Sequence, residues 1–162
     1  MDGPIVTIKL DKFNLAKKAV RVGVDRAVRG LAFKVQELYV RNVQHFSSTE
    51  DKLVDTGMMW NSAYVETSRS SERDEKISAA KSLEGTTGKH TDAPHEFKEA
   101  VPSGKPSELE SKMGVAAEYA VYHELGWGVP ERACLHPAVT EVEGLAKDYS
   151  ANQVRKAIEE GL

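Results

Sequence analysis

The chain has 162 residues, of which 40% are hydrophobic and 29% charged, and its formal net charge is −3. This length and composition predict one soluble domain, residues 1–162, with a packed core. No apolar run reaches the roughly 20 residues of a membrane-spanning helix. The N-terminus lacks a basic segment followed by an apolar one, so we expect no signal peptide. The single cysteine, Cys134, leaves no internal disulfide and is interpreted as a small buried apolar residue.

Charge is distributed unevenly along the chain. Residues 11–49 contain eight basic and three acidic residues, a balance of +5, whereas residues 50–110 contain eight basic and thirteen acidic residues, a balance of −5. Such asymmetry suits self-association or a charged partner, and two ordinary solvated faces would give the same counts. The basic segment is the one candidate for nucleic-acid binding. Its charges are scattered around a helix without interleaved aromatic residues, so sequence-specific binding is not supported.

The N-terminal part predicts an extended segment followed by a long helix. Residues 4–10 alternate behind Pro4, which is typical of a short strand or an extended arm. Residues 11–46 then predict an α-helix about 54 Å long, with Asp11 as its N-cap. Its apolar stripe recurs with steps of three and four and consists of Phe13, Ala16, Val20, Val24, Ala27, Leu31, Val35 and Leu38.

Two glycines, Gly23 and Gly30, lie seven residues apart inside this predicted helix. Each costs roughly 1 kcal/mol relative to alanine in a helix interior. Either their shared face lets another backbone approach closely, or the helix is kinked near one of them. The sequence leaves both alternatives open.

Shorter elements follow. The turn Asp55-Thr56-Gly57 can cap a short helical turn that carries Met58, Met59 and Trp60. Residues Ala63–Thr67 look extended, and residues 68–75 predict a polar hairpin tip. Residues 76–83 are interpreted as a returning strand, although Ala79-Ala80-Lys81 also tolerates a helix.

The second half predicts a long loop, a strand and a final helix. Residues 84–112 are rich in Gly, Pro and charge, and we expect a loop that is either mobile or ordered only in an assembly, with one helical turn at 96–101. Residues 113–117 look like a strand. After a loop through Pro130, a helix starts at Pro137. Its apolar face comprises Val139, Val142, Leu145, Ala146, Tyr149, Val154 and Ile158.

Two motifs of this chain resemble a known family, the tail-completion or head–tail joining proteins of long-tailed bacteriophages. The family has an acidic-Thr-Gly-x-Leu-x-x-Ser element, which is similar to Val54-Asp55-Thr56-Gly57-Met58-Met59-Trp60-Asn61-Ser62. It also has a Tyr-Ala-x-x-x-Glu-aromatic-Gly segment, which is similar to Tyr119-Ala120-Val121-Tyr122-His123-Glu124-Leu125-Gly126. The family's Ala/Arg-Pro-Phe-Leu-x-Pro-Ala element reads here Arg132-Ala133-Cys134-Leu135-His136-Pro137-Ala138. The chain departs from the family at Leu125, at Ala133-Cys134, and in the length of the 84–112 loop.

The resemblance covers roughly residues 10–160 and implies a fold and a function. The fold is α/β (α+β), a small mixed, mostly antiparallel sheet flanked by a long N-terminal helix and a C-terminal helix. The function is structural: a homo-oligomeric ring, typically six-fold, in the virion neck between the head connector and the tail tube. Genomic DNA would pass through the lumen without sequence-specific binding. A tail terminator, which caps the tube, is a close alternative. The protein would be assembled in the bacterial host cytoplasm, with no membrane partner.

The residues themselves suggest interface and turn roles. Tyr119, Tyr122 and Trp127, together with Trp60, are large amphipathic groups of the kind enriched at interfaces, and core packing is the alternative for each. Glu124 lies beside a glycine turn in which Gly126 or Gly128 takes a positive φ. Its carboxylate could accept backbone N–H bonds and hold the loop. We therefore expect an interface or structural role for these five side chains and no catalytic one.

No motif of enzyme chemistry is complete in the chain, and no cofactor or metal is expected. The Gly-rich stretch near Gly85 lacks phosphate-loop spacing, and no Gly-x-Ser-x-Gly elbow occurs. His123 and Glu124 would face opposite sides of a strand, which argues against an acid–base pair. Two alternatives from other classes remain: a DNA-binding accessory protein that uses the basic helix, and a metal-dependent enzyme built on the His90 and His95 loop.

Overall fold

The computed structural model describes residues 10–48, 57–86, 96–101, 104–129 and 131–161. Two long helices flank a small antiparallel sheet, which is the mixed α and β fold expected from the sequence. In chain order the elements are α1 (Leu10–Ser48), α2 (Met58–Asn61), β1 (Ala63–Thr67), α3 (Arg73–Lys81), β2 (Ser111–Val115), α4 (Ala120–Leu125) and α5 (Leu135–Glu159).

Helices α1 and α5 pack antiparallel along most of their length. Ion pairs join the two helices at both ends, Arg26 to Glu160 at 2.6 Å and Arg41 to Glu141 at 3.0 Å. Near the first of these pairs the backbones approach closely, because a Cβ atom on Gly23 would lie 2.5 Å from the Cα of Val154. At Gly30 the neighbour is instead the side chain of Tyr149. The close backbone approach is therefore confirmed at Gly23 and not at Gly30, and helix α1 runs from Leu10 to Ser48 without a break.

The hydrophobic core gathers at one end of this helix pair. The C-terminal half of α1, the first turns of α5, β1 and α4 enclose it. Its buried members are Leu38, Tyr39, Val43, Met59, Ala63, Ala120, Cys134, Ala138 and Val142. The N-terminal half of α1 and the C-terminal half of α5 continue beyond it as a two-helix arm. On that arm Leu15, Val20, Leu145 and Ile158 are exposed.

The sheet has two strands that pair antiparallel, with Ala63 opposite Val115 and Thr67 opposite Ser111. Short backbone pairings extend it on both sides. Residues 98–101 run beside the end of β2, where the Ala100 N–H donates to the Ala116 carbonyl at 2.7 Å. This segment is extended, so the helical turn predicted for residues 96–101 is wrong. The second strand begins two residues before the predicted 113–117.

Residues 76–83 form most of a helix, and the predicted strand is wrong. The polar turn after β1 closes within a few residues, because the Thr67 N–H donates to the Ser70 carbonyl at 2.7 Å. Helix α3 then starts at Arg73, inside the predicted hairpin tip. Its buried residues, Ile77 and Ala80, are three apart, which is helical spacing and places both side chains on the core.

Other boundaries differ by a few residues. Helix α1 already includes Leu10, so the predicted N-cap Asp11 lies inside the helix. Helix α5 begins at Leu135, two residues before Pro137. The predicted strand or arm before α1, the capping residues Asp55 and Thr56, and much of the 84–112 loop lie outside the described residues.

Substituting Gly23 tests the close approach of the two long helices. A methyl group at Gly23 meets backbone atoms of Val154 and Gln153, which cannot rotate away. We expect Gly23→Ala to lower the free energy of unfolding by about 1–3 kcal/mol, although alanine favours helix. The matched control is Gly144→Ala on α5, where nothing lies within 4 Å of the new Cβ and a gain of about 0.5–1 kcal/mol is expected. If both substitutions changed the free energy of unfolding in urea by the same amount, the close packing at Gly23 would be contradicted.

Candidate functional site

The second motif forms the junction between α4 and α5. Helix α4 ends at Gly126, whose φ of 67° is the left-handed conformation that glycine adopts at no steric cost. The Trp127 N–H donates back to the Tyr122 carbonyl at 3.0 Å, which closes the turn. Gly128 also has a positive φ, 72°. Both glycines named from the sequence therefore take the predicted conformation, and the chain reverses toward α5.

The side chain of Glu124 binds the beginning of α5. One carboxylate oxygen accepts the N–H groups of Cys134 at 2.8 Å and Leu135 at 3.0 Å. The other accepts the N–H of His136 at 2.8 Å. The first N–H groups of a helix have no intrahelical partner, and a carboxylate there also opposes the positive end of the helix dipole. The predicted hydrogen-bonding role of Glu124 is confirmed, and we call this arrangement the Glu124 clasp.

Helix α1 holds the same junction from the other side. The Asn42 side-chain amide donates to the Cys134 carbonyl at 3.0 Å. Cys134 is fully buried, as predicted, and burial followed by the nearby Glu124 charge raises the pKa of its thiol to about 12. A thiol with so high a pKa is protonated and unreactive at neutral pH. Asn42 and Cys134 therefore have a structural role at this junction.

His123 precedes Glu124 on helix α4, so the argument that neighbours on a strand face opposite sides does not apply to them. Their roles nevertheless differ. Both oxygens of Glu124 accept backbone N–H groups, whereas the buried Nδ1 of His123 has no hydrogen-bond partner among the described residues. Burial, with a smaller contribution from the Arg132 charge, lowers the pKa of His123. The imidazole is held neutral beside a carboxylate already engaged elsewhere, so the two do not form an acid–base pair.

A cavity of about 330 Å³ opens beside the Glu124 clasp, between α4, the end of β2 and the 98–101 segment. We call it the Tyr39 cavity, because Tyr39 of α1 lines it while being only 1% exposed. The hydroxyl group of Tyr39 has no hydrogen-bond partner among the described residues. Burial raises the pKa of this phenol, so it is neutral. The other lining residues are mostly apolar and include Val101, Val115, Ala117, Ala120, Val121 and Leu135.

The aromatic interface candidates fall into two groups. Tyr122 and Trp127 are 41% and 60% exposed, and their rings meet edge to face with centroids 6.5 Å apart. Together with Val121, Leu125 and Val129 they form an exposed apolar surface around α4 and its turn. Tyr119, by contrast, packs against the core and against a second buried cluster, which includes Met58, Tyr64, Ile77 and Phe97.

Trp60 is half-buried against the core and borders an open groove with Phe33, which is 40% exposed.

The first motif also has a structural role. Gly57 has a φ of 84° and precedes α2, and the Asn61 side chain donates to its carbonyl at 2.9 Å. The Ser62 hydroxyl is fully buried; it donates to the Met59 carbonyl at 3.0 Å and accepts the Ala117 N–H at 3.2 Å. This motif therefore joins α2 to the residues that follow β2.

Most of the basic charge of α1 is neutralised within the chain. Seven Lys and Arg side chains of this helix are described, and five of them form ion pairs, namely Arg21 with Glu108, Arg26 with Glu160, Arg29 with Asp25, Lys34 with Glu37 and Arg41 with Glu141. Phosphate binding needs cations that are free to release counterions. The pairing argues against the DNA-binding alternative.

Sequence reasoning missed two side chains of the site, Tyr39 and Asn42. Both lie on α1, far in sequence from the motif, and neither belongs to a recognisable pattern. No group of three His, Cys, Asp or Glu that could hold a metal ion occurs within the described ranges. His90 and His95, the metal alternative, lie outside those ranges.

Removing the carboxylate of Glu124 tests the clasp. We expect Glu124→Ala to lower the free energy of unfolding by about 2–3 kcal/mol, because three N–H groups lose a charged acceptor. Glu124→Gln, which keeps one acceptor oxygen, should have a free energy of unfolding between those of the wild type and Glu124→Ala. The control is Glu131→Ala, an exposed carboxylate in the connection between α4 and α5, with a change within about 0.5 kcal/mol. A Glu124→Ala variant as stable as the control would disprove the clasp's contribution.

The lowered pKa of His123 predicts a pH dependence of stability. Because the unfolded chain protonates first as the pH falls through about 6.5, the folded state loses stability there. The contribution is present above the unfolded pKa and disappears on acidification. Chemical unfolding of the wild type and of His123→Gln from about pH 7.5 to about pH 5.5 should show a steeper loss for the wild type. Parallel curves would contradict this environment for His123.

Comparison with protein-family models, with curated proteins and with solved structures found no match. None of the helices in the described part of the chain is long and apolar enough to cross a membrane. The arguments about function therefore rest on the residues and their geometry.

Proposed function

We propose that this protein is a structural subunit of a bacteriophage neck, forming a homo-oligomeric ring that joins the head connector to the tail tube. The observation that carries the proposal is the Glu124 clasp. The Tyr-Ala…Glu-x-Gly motif and the Pro-Ala motif that opens α5 meet there through three hydrogen bonds. Two of the three sequence elements that carry the resemblance are thus joined directly by hydrogen bonds.

The chemistry of the site supports a structural role and not an enzymatic one. Glu124 is engaged with backbone N–H groups, and the thiol of Cys134 is buried with a pKa near 12. The exposed residues beside them, Tyr122 and Trp127, are aromatic groups of the kind that interfaces contain. A rigid junction that presents an apolar surface fits a subunit whose task is to bind neighbouring proteins.

In the proposed particle the subunit contacts copies of itself, most often in a six-fold ring, and a tail-tube or terminator protein and a head connector on its two faces. Genomic DNA passes through the lumen without base-specific contacts. The protein assembles in the bacterial host cytoplasm and belongs to the virion neck. It needs no cofactor or metal and catalyses no reaction in this role.

A reconstruction of the neck by cryo-electron microscopy tests the proposal in particles of the phage that encodes this chain. We expect a ring of subunits with the α1–α5 pair and the two-stranded sheet, placed between connector and tube. A well-resolved neck without such a subunit would refute the proposal.

A stop codon in the gene separates head–tail joining from the tail-terminator alternative. Loss of a joining protein should leave filled heads and tails of normal length unattached, and adding the purified protein should join them. Loss of a terminator should instead give tubes that grow beyond their normal length.

A further inference from the structure

The first turns of α1 form an exposed end of the two-helix arm. Ala19 is buried against α5, with 3% of its surface exposed, whereas residues 14–18 before it are all exposed. We call residues 14–18 the arm tip. Leu15, within it, is 55% exposed. An apolar side chain this open, at the end of a helix, has no described partner in its own chain.

The arm tip also carries the unpaired cations of the helix. Five of the seven described Lys and Arg side chains of α1 form ion pairs within the chain. The remaining two, Lys17 and Lys18, have no ion pair among the described residues and are exposed. Leu15 and Lys18 are three residues apart and lie on one face of the helix. The arm tip therefore presents an apolar side chain with a free cation beside it.

The Tyr39 cavity has the complementary properties. Its walls are mostly apolar, and its Tyr39 hydroxyl is buried without a hydrogen-bond partner. Two exposed carboxylates border the cavity. Glu99 is held by Arg73 at 2.5 Å, but Glu118 has no ion pair among the described residues.

We propose that the arm tip of one copy of this chain docks in the Tyr39 cavity of the next copy. Leu15 fills the apolar space, and Lys18 pairs with Glu118 at the border. The occupant is thus a second copy of the same protein, identified by its apolar and cationic face.

The positions of the two surfaces determine the kind of assembly. Leu15 and Tyr39 are 24 residues apart on one helix, which is about 36 Å. A contact between surfaces at opposite ends of a molecule is heterologous, so it repeats from copy to copy and produces a closed ring when the rotation closes. The inference rests on the proposed function for that closure. Tyr122 and Trp127 do not line the cavity and remain available to another protein.

Blocking the cavity tests the docking. Val121 lines it and is 42% exposed, so Val121→Trp narrows the cavity without disturbing the core. The matched control is Val129→Trp, at a residue that is 36% exposed and does not line the cavity. By sedimentation velocity we expect the wild type and the control to self-associate alike, and Val121→Trp to need at least about tenfold more protein. Trp127→Ala should associate like the wild type.

A charge exchange tests the pairing of the two surfaces. Lys18→Glu and Glu118→Lys each place like charges at the contact, so each variant alone should associate much more weakly. In an equimolar mixture, the tip of one variant can meet the cavity of the other variant. Such a contact joins either the two original side chains or the two substituted ones, and in both cases the charges are opposite. The mixture should therefore associate like the wild type. Circular dichroism of each variant confirms that it is folded.

The outcomes separate this inference from the proposed function. Variants that assemble as well as the wild type, or a mixture that does not recover, overturn the docking, and so does a wild type that stays monomeric at the highest concentration. In each of these cases a ring of this chain in the phage neck would still support the proposed function. Recovery in the mixture alone, together with the block by Val121→Trp, supports the docking.

Discussion

The Glu124 clasp is the interaction on which the rest of the structure depends. It joins the end of α4 to the first turn of α5 and so sets where a helix of 25 residues begins. Residues three or four apart share one face of a helix. With α5 held at its start by the carboxylate, Ala138 and Val142 enter the core, and Val154 meets Gly23 on α1. A glycine turn at Gly126 brings Glu124 into position.

The pairing of α1 with α5 divides the protein into a body and an arm. In the body, the sheet and α4 cover the two helices, and large side chains such as Leu38 and Tyr39 are buried. In the arm the two helices face each other, and the segment before β2 reaches them through the ion pair of Glu108 with Arg21. Gly23 makes this possible, because without a side chain it lets the backbones come together and bury small residues such as Ala19 and Ala27. A thin arm leaves Leu15 and Ile158 exposed, and a docking surface results.

Periodicity and local chemistry predicted much of this arrangement. The apolar stripe of α1 gave its length to within two residues at each end, and the acidic residue beside the glycine turn gave the hydrogen-bonding role of Glu124. Residues 76–83 were predicted wrongly because a short apolar pattern does not separate strand from helix. A tight turn at Thr67 lets α3 begin at Arg73, so residues 76–81 continue a helix and do not return as a strand. The Tyr39 cavity could not be predicted, since an unpaired hydroxyl depends on residues distant in sequence.

Amide hydrogen exchange at the start of α5 tests the central claim most directly. The N–H groups of Cys134, Leu135 and His136 would exchange quickly at an uncapped helix end, because they have no intrahelical acceptor. The account predicts that these three amides are protected in the native protein to nearly the level of the α5 interior, and that Glu124→Ala removes the protection at these positions first. Exchange at the rate of a free helix end in the native protein would contradict the clasp.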